Sequence, residues 1–331
     1  MNRKKALNIL LNAKSIAVVR TDRLGDMILT LPMFNVLREI NPSAKLSLIA
    51  RTYTEPLFRG ISQIDEYFLA DNKQEYENII KSNHFDVIFF PMMKYDEVLP
   101  AYKNNIKLRL GSGYRLYSLL LNYKIYHHRK EGKKNEADYN LDLISDITGY
   151  EYKPKLISPR VEKSLPMEIT EFIGADNFII IHPGGGGSAP KWSADNFGAL
   201  AKKITEHYNY KIIVTGSESE KADCERVLSN GNDMFYNIAG KLDLDEMINL
   251  ISKCDILISN STGILHVGAS FEKKILGFYP NSNKISSRRW GPINEKKVIL
   301  TPISKIISEI DNLALITIDM AFEGFNELLD M

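Results

Sequence analysis

Residues 15–40 read SIAVVRTDRLGDMILTLPMFNVLREI, and this stretch decides the fold. A continuous apolar run at residues 15–20 is followed by a polar loop and then by a helical pattern over residues 26–40. Such a run is typical of a parallel strand that is buried on both faces. The stretch therefore predicts a strand that leads through a short loop into a covering helix.

The same alternation of apolar runs and helical patterns fills both halves of the chain. In the first half, further strands are predicted at residues 45–50, 67–70 and 86–90, with a helix at residues 74–83. In the second half, strands are predicted at residues 178–182, 211–215, 255–259 and 274–279, with helices at residues 193–208, 217–229, 244–253 and 262–270. Two such series predict an α/β protein of two doubly wound, Rossmann-like domains that face a central cleft.

A segment with three prolines and mixed charge, residues 151–166, separates the two series. We predict a first domain over residues 1–160, a second over residues 167–315 and a terminal helix within residues 316–331. That helix is amphipathic, and it could close the second domain or pack back on the first.

The composition excludes several classes of protein. The 331 residues include 42 Lys+Arg and 41 Asp+Glu, which gives a net charge of +1. This charge is too small to attract the chain to nucleic acid. Two cysteines do not make a disulfide framework, and no apolar run is long enough to span a bilayer. We therefore expect a cytoplasmic protein, and peripheral contact with the inner membrane stays open.

The loop after the first strand, RTDRLGD at residues 20–26, contains one glycine and two arginines. A dinucleotide-binding oxidoreductase would need several glycines here, because the pyrophosphate approaches the backbone closely. Asp26 stands where a carboxylate could take a proton from a hydroxyl. The alternative is that Asp26 only complements the helix N-terminus.

A second loop, HPGGGGSAPKW at residues 182–192, joins a strand to a helix through four glycines. Its backbone amides could approach an anion, and Lys191 could add a positive charge. The loop lacks the G-K-[ST] ending of a Walker P-loop. A flexible connector is the alternative interpretation.

A third loop, SNSTGILH at residues 259–266, again joins a strand to a helix. Ser261, Thr262 and Gly263 could expose helix N-terminal amides to a phosphate, or they could form an N-cap only. His266 fits either a ligand contact or a packed structural histidine. No Cys/His cluster has metal-ligand spacing, so neither a metal nor a cofactor is predicted.

One stretch, residues 103–134, has a marked local charge bias. It contains nine Lys/Arg, among them Arg109 and Arg115, against the single acid Glu131, together with four tyrosines, and Tyr102 directly precedes it. The stretch could be a solvated face, or it could contact an anionic acceptor or an anionic membrane surface.

Taken together, these loops resemble glycosyltransferase family 9, the ADP-heptose:lipopolysaccharide heptosyltransferases. The resemblance rests on residues 18–39, 181–201, 214–220 and 254–270. It implies two Rossmann-like domains with the active site between them, the GT-B arrangement. It also implies an inverting, metal-independent transfer from a nucleotide-diphosphate sugar.

The family resemblance assigns roles to individual residues. Asp26 matches the family's general base, Thr262 and Gly263 match its contacts with the donor diphosphate, and Glu220 matches an acidic contact with the donor ribose. Two positions depart from the family pattern. Ser261 stands in place of an aspartate. Lys191 directly precedes Trp192, whereas the family's lysine stands two residues before the tryptophan.

We therefore expect transfer of a heptose or similar sugar, from ADP-heptose by preference, to a lipopolysaccharide core or another anionic glycolipid or glycan. The first domain would take the acceptor and the second the nucleotide sugar. The expected donor contacts are Gly185, Gly186, Lys191, Glu220, Ser261, Thr262, Gly263 and His266. The expected acceptor contacts are Arg20, Arg23, Arg109 and Arg115. A nucleotide-sugar epimerase of the same architecture and a non-catalytic homologue that binds nucleotide sugars or glycans are the alternatives.

Overall fold

The computed structural model describes residues 1–187, 189–229 and 231–331. The chain divides into two compact units, each built on its own parallel sheet. The first unit contains residues 1–129 and 134–160, and the second contains residues 130–133 and 161–331. None of the helices in the described part of the chain combines the length and the apolar character needed to cross a membrane.

The first domain alternates strands and helices along its length. Its strands are β1 (Ser15–Arg20), β2 (Lys45–Ala50), β3 (Glu66–Leu69), β4 (Val87–Phe90), β5 (Leu108–Ser112) and β6 (Tyr123–Ile125). Its helices are α1 (Arg3–Leu11), α2 (Leu24–Ile28), α3 (Pro32–Ile40), α4 (Lys73–Ser82), α5 (Tyr95–Lys103) and α6 (Glu136–Thr148). Short 3₁₀ turns at Thr52–Leu57 and Leu116–Leu120 follow β2 and β5.

The described strands of the first sheet lie in the order β3-β2-β1-β4-β5-β6, with every pair parallel. The order reverses between β1 and β4, which is the switch point where ligands bind in doubly wound sheets. The loops that follow these strands therefore emerge at one edge.

The second domain repeats this plan. Its strands are β7 (Phe178–His182), β8 (Lys211–Val214), β9 (Phe235–Asn237), β10 (Ile256–Asn260), β11 (Lys274–Phe278) and β12 (Lys297–Leu300). Its helices are α7 (Met167–Ile173), α8 (Ala194–His207), α9 (Lys221–Leu228), α10 (Leu244–Lys253), α11 (Gly263–Ser270), α12 (Ser287–Trp290) and α13 (Ile318–Leu329). In the described residues the sheet order is β12-β11-β10-β7-β8-β9, with the switch point between β7 and β10.

The terminal helix α13 packs on the second domain. It lies against β11, β12 and α8, and it buries Phe325 and Leu328 in that domain's core. Lys274 Nζ also donates a 3.0 Å hydrogen bond to the carbonyl of Leu329. The sequence left open whether this helix packs on the first or on the second domain, and in the structure it packs on the second.

The predicted fold class of two doubly wound α/β domains is confirmed, but several elements differ from the sequence prediction. The single helix predicted over residues 26–40 is two helices, α2 and α3, because Pro32 begins α3 and has no amide to continue a preceding helix. The strands β5, β6, β9 and β12 were not predicted. β5, β6 and β9 lack a continuous apolar run, and β12 has an apolar run of three residues that is only partly buried.

Candidate active site

Asp26 lies in the first turn of α2, just beyond the carboxyl end of β1. Its carboxylate forms an ion pair with the guanidinium of Arg20, the last residue of β1. Arg20 Nε is also 3.2 Å from Asp22 Oδ2, and Arg20 is only 1% exposed. Arg20 is thus a buried counterion that holds two carboxylates at the edge of the sheet.

The surroundings of Asp26 favour proton transfer. Burial raises the pKa of Asp26 above its ordinary value, Arg20 opposes the rise, and the charges of Asp22 and Glu136 add to it. A carboxylate with a raised pKa is a better proton acceptor than a fully hydrated one. The site can therefore act as a general base toward a hydroxyl group.

The loop between β1 and α2 is fixed by α5. Lys94 Nζ donates a 2.6 Å hydrogen bond to Thr21 Oγ1 and lies 3.1 Å from Asp22 Oδ1. Thr21 also donates to the buried carboxylate of Glu97. Burial raises the pKa of Glu97, and the bond from Thr21 and the Lys94 charge oppose that rise. The network ties the loop after β1 to the segment after β4.

Helix α6 fixes the backbone of the Asp26 turn from another direction. Asn140 Nδ2 donates hydrogen bonds of 3.0 Å to the Leu29 carbonyl and 3.2 Å to Thr30 Oγ1. Thr30 Oγ1 in turn donates a 2.8 Å bond to the Asp26 carbonyl. The helix bearing Asp26 is short, and these bonds hold it in place.

The four predicted acceptor arginines do not share one position. Arg23 and Arg115 are exposed, and each follows the carboxyl end of its strand. Arg20 is buried against Asp26, which suits a positioning role. Arg109 lies near the amino end of β5, where its Nε donates a 2.9 Å bond to the Leu120 carbonyl. Arg23 and Arg115 are thus exposed, whereas Arg20 is buried and Arg109 is half-buried, and the acceptor contacts remain a prediction.

Acidic side chains neutralise several of the cations in the basic stretch, residues 103–134. Lys107 pairs with Asp86, Arg129 with Glu136, Lys133 with Glu131 and Lys134 with Asp142. The cationic character predicted for the whole stretch is therefore confined to a smaller part of it.

In the second domain, Glu220 connects two of the predicted loops. The Gly185 amide donates a 2.8 Å hydrogen bond to Glu220 Oε1. Glu220 Oε2 accepts 2.8 Å bonds from the amide and the hydroxyl of Ser217. Burial would raise the pKa of Glu220, but the bonds from Ser217, the neighbouring His182 and the Gly185 amide lower it below its ordinary value. The carboxylate is therefore held ionised beside the glycine loop.

A larger residue at the first position of the glycine loop would displace the Glu220 carboxylate. A Cβ atom at Gly184 would lie 2.1 Å from Glu220 Oε1. The Lys191 stem lies over Gly185, and Lys191 Nζ is 2.7 Å from Asp223 Oδ2. Lys191 is thus beside the loop despite its shifted place in the sequence. Gly186 is exposed, and Ser188 lies outside the described residues.

Asn260, the last residue of β10, holds both ends of the glycine loop, and the sequence did not predict this role. Its Oδ1 accepts a 2.8 Å bond from the Trp192 amide, and its Nδ2 donates a 2.8 Å bond to the Pro183 carbonyl. Trp192 is buried and stacks on Phe278 with ring centroids 4.2 Å apart. The signal in the sequence is a polar side chain that ends an apolar strand directly before the Ser-Thr-Gly turn.

The N-terminus of α11 is open to a ligand. Thr262 has the extended backbone of an N-cap residue, but within the described structure its side chain makes no capping hydrogen bond. Its Oγ1 lies 3.0 Å from Ser259 Oγ instead. Ser261 interacts with the phenol of Tyr279. The amides of Gly263 and Ile264 at the start of α11 therefore receive no capping bond from the Thr262 side chain and could donate to an anion.

Two buried histidines lie close to these loops. His266 Nδ1 has no hydrogen-bond partner among the described residues, and burial lowers its pKa to about 4. His182 Nδ1 is 3.0 Å from Thr215 Oγ1, and burial lowers its pKa as well. At neutral pH both imidazoles are uncharged.

The loops of the second domain gather at one edge because β8, β7 and β10 are parallel neighbours. That edge combines loop amides, a lysine, an open helix N-terminus and an ionised carboxylate. The amides and the lysine can bind an anion, and the carboxylate can accept bonds from hydroxyl groups. Across residues 1–187, 189–229 and 231–331, no three His, Cys, Asp or Glu side chains form a group that could hold a metal ion.

Comparisons with known proteins agree with this architecture. The sequence model of glycosyltransferase family 9 (heptosyltransferase) matches residues 98–309. A Haemophilus influenzae protein, described provisionally as a glycosyltransferase, is 29% identical over 93% of this chain and 94% of its own length.

Solved structures show the same fold. A family 9 glycosyltransferase from Veillonella parvula has a TM-score of 0.81 at 19% identity, covering 96% of this chain and 98% of that chain. The Escherichia coli ADP-heptose lipopolysaccharide heptosyltransferase II has a TM-score of 0.76 at 20% identity, covering 95% and 98%.

Proposed function

This chain belongs to glycosyltransferase family 9, and we propose that it is an inverting, metal-independent enzyme that transfers a heptose or a similar sugar. The donor is a nucleotide-diphosphate sugar, with ADP-heptose favoured, and the acceptor is a lipopolysaccharide core or a related anionic glycan. The observation that carries the proposal is Asp26, a partly buried carboxylate that the buried Arg20 fixes at the switch point of the first sheet.

The second domain binds the donor in this proposal. The diphosphate lies on the remaining amides of the glycine loop, Lys191 and the N-terminus of α11, and Glu220 accepts a bond from the ribose. Negative charge grows on the diphosphate as the glycosidic bond breaks. Fixed amide dipoles and a lysine stabilise that growing charge more than the ground state, and this difference lowers the barrier.

The first domain supplies the base. The acceptor oxygen forms a bond to the anomeric carbon while Asp26 takes the hydroxyl proton. The bond from that carbon to the diphosphate oxygen breaks, and the nucleoside diphosphate leaves with the electron pair. Attack from the face opposite the leaving group inverts the anomeric configuration. The exposed guanidinium groups of Arg23 and Arg115 hold anionic groups of the acceptor.

The test combines binding with turnover on the full chain. A panel of nucleotide sugars is screened by thermal shift, since a ligand at about 100 times its Kd stabilises by ~2.7 kcal/mol. The best donor is then incubated alone, with a lipopolysaccharide core acceptor, and with acceptor plus EDTA. We expect free nucleoside diphosphate and an elongated, inverted product only when the acceptor is present, at a rate that EDTA leaves unchanged.

Two results would contradict the proposal. Conversion of the donor without acceptor would indicate an epimerase. Donor binding without turnover on any core acceptor would indicate a non-catalytic homologue. Loss of transfer in EDTA, with recovery on adding a divalent cation, would overturn the metal-independent mechanism alone.

A further inference from the structure

The 3₁₀ turn after β5 presents two leucines to solvent. Leu116 is 92% exposed and Leu119 is 77% exposed. Residues three apart in a 3₁₀ helix lie on the same side. The two side chains therefore form one apolar projection, which we name the leucine turn (residues 115–120).

The leucine turn is held rigidly from beneath. Tyr117 Oη donates a 2.7 Å hydrogen bond to the Met93 carbonyl, and Ser118 Oγ donates a 3.1 Å bond to the Gly113 carbonyl. Leu121, which follows the turn, is buried in the core of the first domain. These contacts anchor the turn to the segment after β4 and fix it to the domain. Leu116 and Leu119 are thus held outward by a fixed backbone.

Several half-exposed tyrosines lie on the segments next to the leucine turn. Tyr95 is half exposed and lies edge-on to Tyr117, with ring centroids 6.1 Å apart. Tyr114 and Tyr126 are also about half exposed and lie edge-on to each other at 5.5 Å. Tyrosine suits the boundary between an apolar layer and water, because its ring is apolar and its hydroxyl is polar.

The charge beside the turn is positive. Arg115 begins the turn, and Lys124 lies on the neighbouring strand β6. No acidic side chain pairs with either of them in the part of the chain that the structure describes. Glu131, the one acid in residues 103–134, pairs with Lys133. Exposed leucines, tyrosines and unneutralised cations together fit a surface that is apolar inside and anionic outside.

We propose that the leucine turn docks the protein on an anionic lipid bilayer. Leu116 and Leu119 enter the head-group boundary, and the positive charge of Lys124 lies toward the lipid phosphates. The turn follows β5 and so lies at the same edge of the sheet as Asp26. The inference rests on the proposed function, because docking on the bilayer would bring a lipid-linked acceptor close to Asp26.

The test is vesicle flotation with the full chain. Vesicles of phosphatidylethanolamine with phosphatidylglycerol are compared with vesicles of phosphatidylcholine. Wild type should float with the anionic vesicles and lose binding in high salt, and the double variant Leu116→Ser/Leu119→Ser should bind about tenfold or more weakly. The matched control is Ile303→Ser/Ile307→Ser on the second domain, whose isoleucines are 81% and 85% exposed. This control should bind as wild type does.

Several outcomes would overturn the docking surface. They are absence of binding by wild type, equal binding by the leucine variant, and equal loss in the isoleucine control. A dimer in sedimentation that the leucine variant abolishes would assign the surface to a second copy of the chain instead.

A second readout separates this inference from the proposed function. The leucine variant should transfer sugar to a delipidated core oligosaccharide at the wild-type rate, because neither leucine belongs to the catalytic machinery. Failure of transfer to every acceptor would contradict the proposed function and leave the vesicle result standing.

Discussion

The amide of Gly185 donates a 2.8 Å hydrogen bond to the carboxylate of Glu220, and this bond joins the glycine loop to the turn after β8. The carboxylate thus fixes the shape of the loop that the proposal assigns to the donor diphosphate. Its ionised state at neutral pH is maintained by the hydrogen bonds from Ser217 and Gly185, which lower its pKa. Loop geometry and donor recognition therefore depend on the same side chain.

Glu220→Gln should weaken donor binding about tenfold or more, because charge-assisted hydrogen bonds are worth ~1.5–3 kcal/mol each. Isothermal titration with the nucleotide sugar measures the change. Glu218→Gln is the matched control, since Glu218 lies in the same turn but pairs with exposed Lys221. Equal affinity in the Glu220 variant and wild type would remove Glu220 from the donor site.

Lys191→Ala should also weaken donor binding about tenfold, and it should make the affinity less sensitive to salt. The reason is the loss of the ammonium group that is proposed to meet the diphosphate and whose stem lies over Gly185. Lys203→Ala serves as the control, because Lys203 pairs with Asp319 on the terminal helix. An unchanged Kd in Lys191→Ala would place the phosphate contact on another group.

Arg20→Met should move the acidic limb of the kcat/KM profile to higher pH. The Arg20 charge lowers the pKa of Asp26 against the rise caused by burial, so its removal lets that pKa rise further. Asp26 must be ionised to act as the base, and the rate then falls at a higher pH. The variant should also lose ~3–5 kcal/mol of stability, because the partly buried Asp26 loses its counterion and Asp22 keeps only Lys94.

Arg20→Lys is the conservative comparison, since it keeps the charge and should move the limb less. A pH profile of Arg20→Met that coincides with that of wild type would exclude Arg20 as the residue that positions Asp26.

His266 should make the second domain less stable in acid. Its folded pKa is about 4, against about 6.5 for an exposed histidine. Between these values the unfolded chain binds a proton that the folded protein cannot. The free energy of unfolding therefore falls as the pH drops below about 6.5, by up to about 3 kcal/mol near pH 4.

His266→Asn should flatten that decline when unfolding by urea is measured at several pH values. The variant should still lose some unfolding free energy at low pH, because burial also lowers the pKa of His182. His207→Asn, at an exposed position, should follow wild type. A decline in His266→Asn as steep as that of wild type would contradict the assignment.

The sequence predicted the elements whose apolar runs are continuous, and it missed those that depend on tertiary contacts. The strand pattern at residues 15–20 and 178–182 is visible because both faces of those strands are buried. β5 contains Arg109, whose guanidinium donates to the carbonyls of Leu120 and Ile106, so a strand inside the sheet had the appearance of a charged surface.

In the site as well, the positions of the loops could be predicted from the sequence, but the contacts of individual side chains could not. Strand and loop order brought the glycine loop, Glu220 and Thr262 to one edge, since parallel strands end together. The partners of individual side chains could not be predicted. Arg20 follows an apolar run and precedes a polar loop, so its sequence position suits a surface contact as well as a buried ion pair. Asn260 forms hydrogen bonds with residues 68 and 77 positions away, and only the fold brings them together.

The most direct test of the central claim is the rate of sugar transfer by Asp26→Asn at saturating donor and acceptor. Asparagine keeps the size of the side chain and removes the base, and donor affinity on the second domain should be unchanged. We predict a fall in kcat of about 10²–10⁴-fold with the fold intact by circular dichroism. Transfer within a few-fold of the wild-type rate would contradict the assignment of Asp26 as the general base.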